Sequence, residues 1–381
     1  SKNNRIHNFS AGPGSVPLEV LLQAEANLLS WNGHGMALFE MSHRDVGGPV
    51  QTMLTDSSAS MRRLLSIPDN YDVFYVQGGA HGQFSAVPLN LGGAPDATAD
   101  YVVTGFWSER SRKEGAKFLN TRKLSGLTPD GNGLLPASEW GVDPSAAYIH
   151  VCAGETIDSI EYLDDALLEL PPEVAHIPIV ADFTSTLLSR PVDVTKYGVI
   201  YASAGKNLGP AGMAVVIVRR DLLGKEDPRT PSVLSWQLSA NSQPVHSIYN
   251  TPPTLALWFH SMVVSHMEAA GGMPAVEAAA TRRAAQVYDV VDTSAGFYVN
   301  TVRPAYRSRM NVALTIEHPA GERRRDLEER FIKEAADSNM VQLFGHKVRG
   351  GIRITLYYGV AQDSIDAVTA FMRDFQARVI A

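Results

Sequence analysis

The stretch Tyr201-Ala202-Ser203-Ala204-Gly205-Lys206-Asn207-Leu208-Gly209-Pro210-Ala211-Gly212 places one lysine among small residues. The apolar run at 199–202 predicts a buried strand that ends just before this loop. A planar cofactor can approach a lysine that has no bulky neighbours. Burial would also lower the pKa of the amine and make it a better nucleophile. The alternative is a surface lysine in a glycine-rich loop, so the rest of the chain must distinguish the two.

Composition limits the kinds of partner that this protein can have. The 381 residues are enough for about two domains, and the formal net charge is −7. The densest basic cluster, 323–325, is surrounded by carboxylates, which argues against nucleic-acid binding. No apolar segment approaches the roughly 20 residues that span a bilayer, so we expect no membrane partner. The single cysteine, Cys152, favours a reducing compartment. We expect a cytoplasmic protein, with a removed organellar targeting segment left open.

Short apolar runs alternate with helix-like segments from residue 71 onward. The runs predict strands at 73–76, 101–104, 148–152, 179–181, 199–202 and 213–218. Strands separated by helices predict a mainly parallel, doubly wound sheet. Ligands bind beyond the carboxyl ends of such strands. The polar candidates all follow strand ends: the 78–82 loop, Trp107, Thr156, Asp182 and Lys206.

Three of these candidates have a chemical role to offer. The loop 78–82, Gly-Gly-Ala-His-Gly, follows a strand and opens a predicted helix, so its free backbone N–H groups can form a phosphate site. Its glycine spacing matches neither a dinucleotide fingerprint nor a P-loop. Trp107 can stack on a heteroaromatic ring, and Asp182 can hold a pyridinium N–H, which makes such a ring an electron sink. The alternatives are a plain turn, a core tryptophan and a capping or ion-paired carboxylate.

Basic side chains in loop-like segments form a second group of candidates. They are His43-Arg44, His346-Lys347 and Arg353, which strand alternation places opposite its apolar neighbours. Arginine suits bidentate binding of carboxylate or phosphate, and surface ion pairs are the alternative for each residue. The histidines show no metal-binding spacing, so the sequence predicts no metal.

A series of motifs runs through almost the whole chain in one order. They are Asn8-Phe9-Ser10-Ala11-Gly12-Pro13, Ser42-His43-Arg44, Gly82-Gln83-Phe84, Val87-Pro88-Leu89-Asn90, Ala181-Asp182-Phe183-Thr184-Ser185, Ser189-Arg190-Pro191, Asp193-Val194, 197–202, 206–212 and Asn250-Thr251-Pro252-Pro253. In this series the chain resembles the phosphoserine aminotransferases, pyridoxal-phosphate enzymes of fold type I, class V. The resemblance implies an α/β fold like that of aspartate aminotransferase, with a large domain around a mainly parallel mixed sheet. A smaller C-terminal α+β domain completes it. We predict a large domain at 16–270 and a small domain formed by 1–15 and 271–381.

The resemblance also implies a set of cofactor-binding residues. Lys206 would carry pyridoxal 5'-phosphate as a Schiff base and move the proton, and Asp182 would pair with the pyridine nitrogen. The remaining cofactor-binding positions are Ala80, His81, Trp107, Thr156, Gly205, Asn250 and Thr251. Asn250 and Thr251 would come from the neighbouring subunit, which implies a homodimer with shared active sites.

The implied substrates are L-glutamate and 3-phosphohydroxypyruvate, which would give O-phospho-L-serine and 2-oxoglutarate in serine biosynthesis. The implied substrate-binding residues are Ser10, His43, Arg44, His346, Lys347 and Arg353. A dianionic phosphate and a γ-carboxylate can share one basic pocket. The main rival function is another class V activity, such as an alanine–glyoxylate or serine–glyoxylate aminotransferase. A non-catalytic phosphate-ligand binding protein is a rival of another kind.

Three positions depart from the pattern of this family. Gly205 stands where many members have a glutamine that contacts the cofactor phosphate. His81 and Lys347 stand where many bacterial members have arginine. The sequence therefore leaves open which side chains supply these phosphate contacts.

Overall fold

The computed structural model describes residues 5–318 and 321–381. Its α-helices are α1 (Leu18–Asn27), α2 (Pro49–Leu65), α3 (Gly79–Leu91), α4 (Phe106–Gly115), α5 (Trp236–Ala240), α6 (Thr254–Ala269), α7 (Gly272–Asp292), α8 (Arg325–Asp337) and α9 (Gln362–Ile380). Its strands up to residue 182 are β1 (His7–Asn8), β2 (Tyr71–Gln77), β3 (Thr98–Val103), β4 (Asn120–Ser125), β5 (Ile149–Cys152), β6 (Gly154–Glu155), β7 (Ile160–Glu161) and β8 (Ile179–Asp182). The later strands are β9 (Val199–Ser203), β10 (Met213–Arg219), β11 (Tyr298–Val299), β12 (Asn311–Ile316), β13 (Met340–Val341), β14 (Phe344–His346) and β15 (Gly350–Thr355).

A seven-stranded sheet in the order β2-β10-β9-β8-β5-β3-β4 forms the centre of the larger unit. Strand β10 runs antiparallel to both of its neighbours, and the remaining pairs are parallel. Apolar clusters cover both faces of this sheet, which explains why its inner strands have near-continuous apolar sequences. The predicted α/β architecture with a mainly parallel mixed sheet is confirmed.

The edge strand β4 is an element that the sequence did not predict. Its sequence, Asn-Thr-Arg-Lys-Leu-Ser, contains one apolar residue, and that residue, Leu124, is buried. An edge strand pairs on one side only and needs little apolar surface, so the hydrophobic pattern gives no signal for it.

A smaller four-stranded sheet, β11-β12-β15-β14, packs with α7, α8 and α9 around a separate apolar core. Phe9 is fully buried in this core, and β1 pairs in parallel with β13. The exact domain limits at residues 15 and 270 stay a prediction, and residues 1–4 and 319–320 lie outside the described part of the chain. Within that part, every helix is too short or too polar to cross a bilayer.

Candidate active site

The carboxyl ends of five strands open into one cavity of about 410 Å³. Because these strands are parallel, the segments that follow them meet at one edge of the sheet. Six of the predicted site residues line the cavity: Ala80, His81, Trp107, Thr156, Asp182 and Lys206. Residues separated by up to 126 positions in sequence therefore form one wall.

Lys206 lies inside the molecule rather than in a surface loop. Its amine donates a hydrogen bond to the Ala11 carbonyl and lies 5.8 Å from the centre of the Tyr357 ring. Burial, followed by the charge of Arg353, lowers the pKa of Lys206 to about 8, and Asp182 opposes this shift. About one amine in ten is therefore unprotonated at pH 7, far more than for an ordinary lysine, and is able to attack a carbonyl carbon.

The loop that carries Lys206 is held at both of its ends. It connects two adjacent antiparallel strands, in which Ser203 pairs with Ala214. Asn207, the next residue after the lysine, donates from Nδ2 to the Leu187 carbonyl at 2.9 Å. Its Oδ1 accepts from the backbone N–H of Tyr358 at 3.0 Å. The backbone on either side of Lys206 is thus held in place.

Asp182 is a buried carboxylate at the end of β8, with 4% of its surface exposed. Its Oδ1 accepts a hydrogen bond from the Thr184 N–H at 2.8 Å. Burial raises the pKa of Asp182 to about 6, while the Thr184 donors and the Lys206 charge oppose the shift. The group is mostly ionised at neutral pH, so it can accept a hydrogen bond from a protonated ring nitrogen.

The N-terminus of α3 forms another wall of the cavity. Gly78 and Gly79 adopt φ values of +90° and +58°, which turn the chain from β2 into the helix. The first helical hydrogen bond runs from the Gly82 N–H to the Gly78 carbonyl. The N–H groups of residues 79–81 precede that ladder, and with the helix dipole they form an anion site.

Trp107 is held in place by a buried carboxylate that the sequence analysis missed. The Glu155 side chain accepts from the Trp107 N–H at 2.8 Å and from the N–H and hydroxyl of Ser108 at 2.8 and 2.6 Å. Asp158 accepts from the Phe106 N–H at 2.9 Å. Two carboxylates therefore cap the start of α4. Glu155 follows a predicted strand, but no local pattern shows that a helix 47 residues earlier is its partner.

Replacing Glu155 by glutamine should lower the free energy of unfolding and weaken the contact that positions Trp107. Burial, with the neighbouring charge of Asp158, raises the pKa of Glu155 to about 7 from the ordinary value of 4.5, so ionisation itself costs stability above that value and the variants are compared at pH 4.5. The amide nitrogen of glutamine would face an N–H donor in place of an acceptor oxygen. We expect the free energy of unfolding to fall by about 1–3 kcal/mol. Chemical denaturation measures this change, and Glu139→Gln, on the exposed side chain of a surface turn, is the control. Equal stability of the two variants would contradict the capping role.

Other predicted site residues do not line this cavity. Gly205 is buried and packs against Ala211. Asn250 and Thr251 are exposed, and the Thr251 carbonyl accepts a hydrogen bond from Gln77. Others that do not line it are Ser10, His43, Arg44 and Lys347. One chain therefore does not bring all the predicted residues together.

Two predicted substrate-binding residues line a neighbouring cavity of about 350 Å³. They are His346 and Arg353, and Arg353 lies close enough to Lys206 to lower the pKa of its amine. The buried Nε of Arg353 has no hydrogen-bond partner among the described residues. A buried guanidinium N–H without a partner is suited to receive an acidic ligand.

The cavity fits a flat, phosphorylated heteroaromatic aldehyde. It offers an amine of lowered pKa, a carboxylate, a helix N-terminus and an aromatic wall. The buried Trp107 Nε1 has no hydrogen-bond partner within residues 5–318 and 321–381, so it can donate to a ligand. In the same residues no three His, Cys, Asp or Glu side chains are grouped as a metal site.

The chain matches the family described as Aminotransferase class-V over residues 6–368. It is 40% identical to the phosphoserine aminotransferase of Hahella chejuensis over 376 residues, which is 98% of this chain and 99% of the relative. The solved phosphoserine aminotransferase from Bacillus circulans subsp. alkalophilus superposes with a TM-score of 0.89 at 33% identity, covering 98% and 99% of the two chains. A PLP-bound phosphoserine aminotransferase from Trichomonas vaginalis gives 0.85 at 32% identity, covering 97% and 100%.

The fold and the site thus define an aminotransferase, and the chain belongs to class V of these enzymes. Within that class it belongs with the phosphoserine aminotransferases, at 40% identity over nearly the full length of both chains. The family predicted from the sequence motifs is confirmed.

Proposed function

We propose that this protein transfers the amino group of L-glutamate to 3-phosphohydroxypyruvate and uses pyridoxal 5'-phosphate as cofactor. The products are O-phospho-L-serine and 2-oxoglutarate. The observation that carries the proposal is the meeting of Lys206, Asp182 and the α3 N-terminus in one cavity. An amine, an electron-sink partner and a phosphate anchor are the groups that transamination requires.

Four residues of the cavity have proposed roles toward this cofactor. When bound, pyridoxal phosphate supplies an electron sink for charge at the substrate α-carbon. The Lys206 amine would hold the cofactor and, once the substrate amino group has displaced it, would be free to carry the proton of the 1,3-shift. The Asp182 carboxylate would accept a hydrogen bond from the ring nitrogen, Trp107 would hold the ring, and Thr156 would bind its hydroxyl group.

The two acidic substrates bind in turn at the same basic groups. Arg353, with its partly buried guanidinium, suits the α-carboxylate that both substrates carry. His346 lies in the same cavity, and burial and the charge of Arg353 lower its pKa. It is therefore a neutral hydrogen-bonding group near pH 7. Ser10, His43, Arg44 and Lys347 complete the proposed substrate set.

A homodimer with shared active sites explains the residues that lie outside the cavity. Asn250 and Thr251 are exposed, and their proposed place is the phosphate end of the partner's cavity. Large apolar side chains are exposed in two segments, 28–46 and 249–255. They are Leu28, Leu29, Met36, Phe39, Val46, Tyr249 and Leu255. Such surfaces mark protein interfaces. Sedimentation at micromolar concentration should give twice the chain mass of 41.3 kDa; a monomer would contradict shared sites.

The experiment that tests the function is a substrate comparison. The purified protein should be yellow and should turn over L-glutamate with 3-phosphohydroxypyruvate. Turnover with glyoxylate, but none with 3-phosphohydroxypyruvate, would instead support an alanine–glyoxylate or serine–glyoxylate aminotransferase. A colourless protein that pyridoxal phosphate cannot reconstitute would rule out both activities and leave the binding-protein reading.

A further inference from the structure

Ser203 presents a hydroxyl group to the anion site at the start of α3. It is the last residue of β9 and lines the same cavity. A methyl group built on Gly79 would lie 3.1 Å from the Ser203 Oγ, so this oxygen adjoins the backbone that opens the helix. The Ser203 N–H is bound to Thr184 Oγ1 at 3.2 Å. Within residues 5–318 and 321–381 the Ser203 hydroxyl has no hydrogen-bond partner, so it remains free to donate to a ligand.

His81, in the first turn of α3, is held by an arginine from the neighbouring helix. The Arg110 Nε–H donates to His81 Nε2 at 3.0 Å, so the imidazole accepts at Nε2 and carries its proton on Nδ1. Burial and the Arg110 charge lower the pKa of His81, and Glu114 opposes the shift. Glu114 is itself bound by Lys117 and Ser85. The imidazole is therefore neutral near pH 7 and offers one N–H.

The backbone site alone leaves most of the charge of a phosphate monoester unbalanced. A helix N-terminus carries roughly half a positive charge, whereas a phosphate monoester carries about −1.5 to −2 at neutral pH. Arg110 is the guanidinium that the structure places in contact with this loop. His81 also meets the Trp107 ring edge-on, at 5.9 Å between ring centres, so it lies on the wall of the cofactor cavity.

We propose that two residues outside the family pattern complete the phosphate site. Ser203 donates its hydroxyl directly to the phosphate group. Arg110 is a positioning residue that fixes the Nδ1–H form of His81 and supplies the positive charge behind it. This inference rests on the proposed function, because the ligand is the phosphate of the cofactor. It assigns to Ser203 the hydrogen bond that Gly205 cannot donate, and to Arg110 the positive charge that the neutral His81 lacks.

The test compares binding of pyridoxal phosphate and of pyridoxal, which lacks the phosphate, to the apoenzyme. Quenching of tryptophan fluorescence reports both affinities. In Ser203→Ala we expect pyridoxal phosphate to bind about 10-fold to 100-fold more weakly, with the affinity for pyridoxal unchanged. Equal weakening of both ligands, or no weakening, would overturn the role of Ser203. Failure of the wild-type apoenzyme to bind either ligand would overturn the proposed function instead.

Arg110→Met is tested through its dependence on pH. We expect the variant to bind pyridoxal phosphate about 3-fold to 10-fold more weakly at pH 8. The deficit should shrink toward pH 6, because His81 without Arg110 takes up a proton and restores the charge. Lys113→Met removes the same charge from an exposed side chain, 70% accessible, one turn along α4. A deficit that is constant with pH, or equal in the two variants, would overturn the role of Arg110.

Discussion

Replacing Lys206 by alanine should remove at least two to four orders of magnitude of kcat, since proton transfer by a positioned group contributes about that much. The loss of covalent attachment adds to this effect. The expectation rests on the lowered pKa of the amine, about 8, and on its place beside Asp182 and Arg353. Steady-state kinetics measures kcat. Borohydride reduction followed by mass spectrometry should fix the cofactor to wild-type protein and not to the variant.

The same amine gives a pH signature. The rate at which pyridoxal phosphate reacts covalently with the apoenzyme should rise with pH through about 8, because only the unprotonated amine attacks. Lys225→Ala, at an exposed lysine, is the control and should behave like the wild type. Normal turnover and covalent labelling in Lys206→Ala would refute the assignment of the amine.

Replacing Asp182 by asparagine should lower kcat by about 10²–10³, because a neutral amide no longer stabilises a protonated ring nitrogen. The electron sink is then weakened while the cavity keeps its shape. The Thr184 N–H can still donate to the remaining carbonyl oxygen, so local geometry is retained. The measurement is kcat under saturating cofactor and both substrates.

The free energy of unfolding of the same variant should rise, although its kcat falls. Burial raises the folded-state pKa of Asp182 to about 6 from the ordinary value of 3.8. The folded protein therefore binds this proton more tightly than the unfolded chain does. Ionisation of Asp182 destabilises the fold increasingly from about pH 4 to pH 6. At pH 8 the variant apoenzyme should be more stable by up to about 3 kcal/mol. An inactive and destabilised variant would instead indicate a structural role for Asp182.

The sequence indicated that the residues of the cavity would lie together, because each of them follows the end of a strand. Asp182 and Lys206 each follow an apolar run, and parallel strands bring their carboxyl ends together whatever the length of chain between them. Residues 78–82 and Trp107 were placed by the same argument. Gly154-Glu155-Thr156 also follows a strand, and Thr156 lines the cavity.

The supporting contacts could not be predicted, because they join distant segments through side chains. Glu155 meets the start of α4, and Arg110 meets His81, only once the helices have packed on the sheet. A polar edge strand such as β4 lacks the apolar pattern by which strands are recognised. Asn250 and Thr251 belong to a family motif, yet no local pattern shows that they would act at a partner's cavity.

Asn207 joins the backbone next to the lysine to two distant segments of the chain. One side of its amide is bonded to Leu187, beside the large sheet, and the other to Tyr358, just beyond the end of β15. A shift of the segment at 358 relative to the segment at 187 must stretch or break one of these bonds, and the backbone next to the amine absorbs the strain. Asn207 thus couples the position of the residue next to the amine to the distance between these two segments.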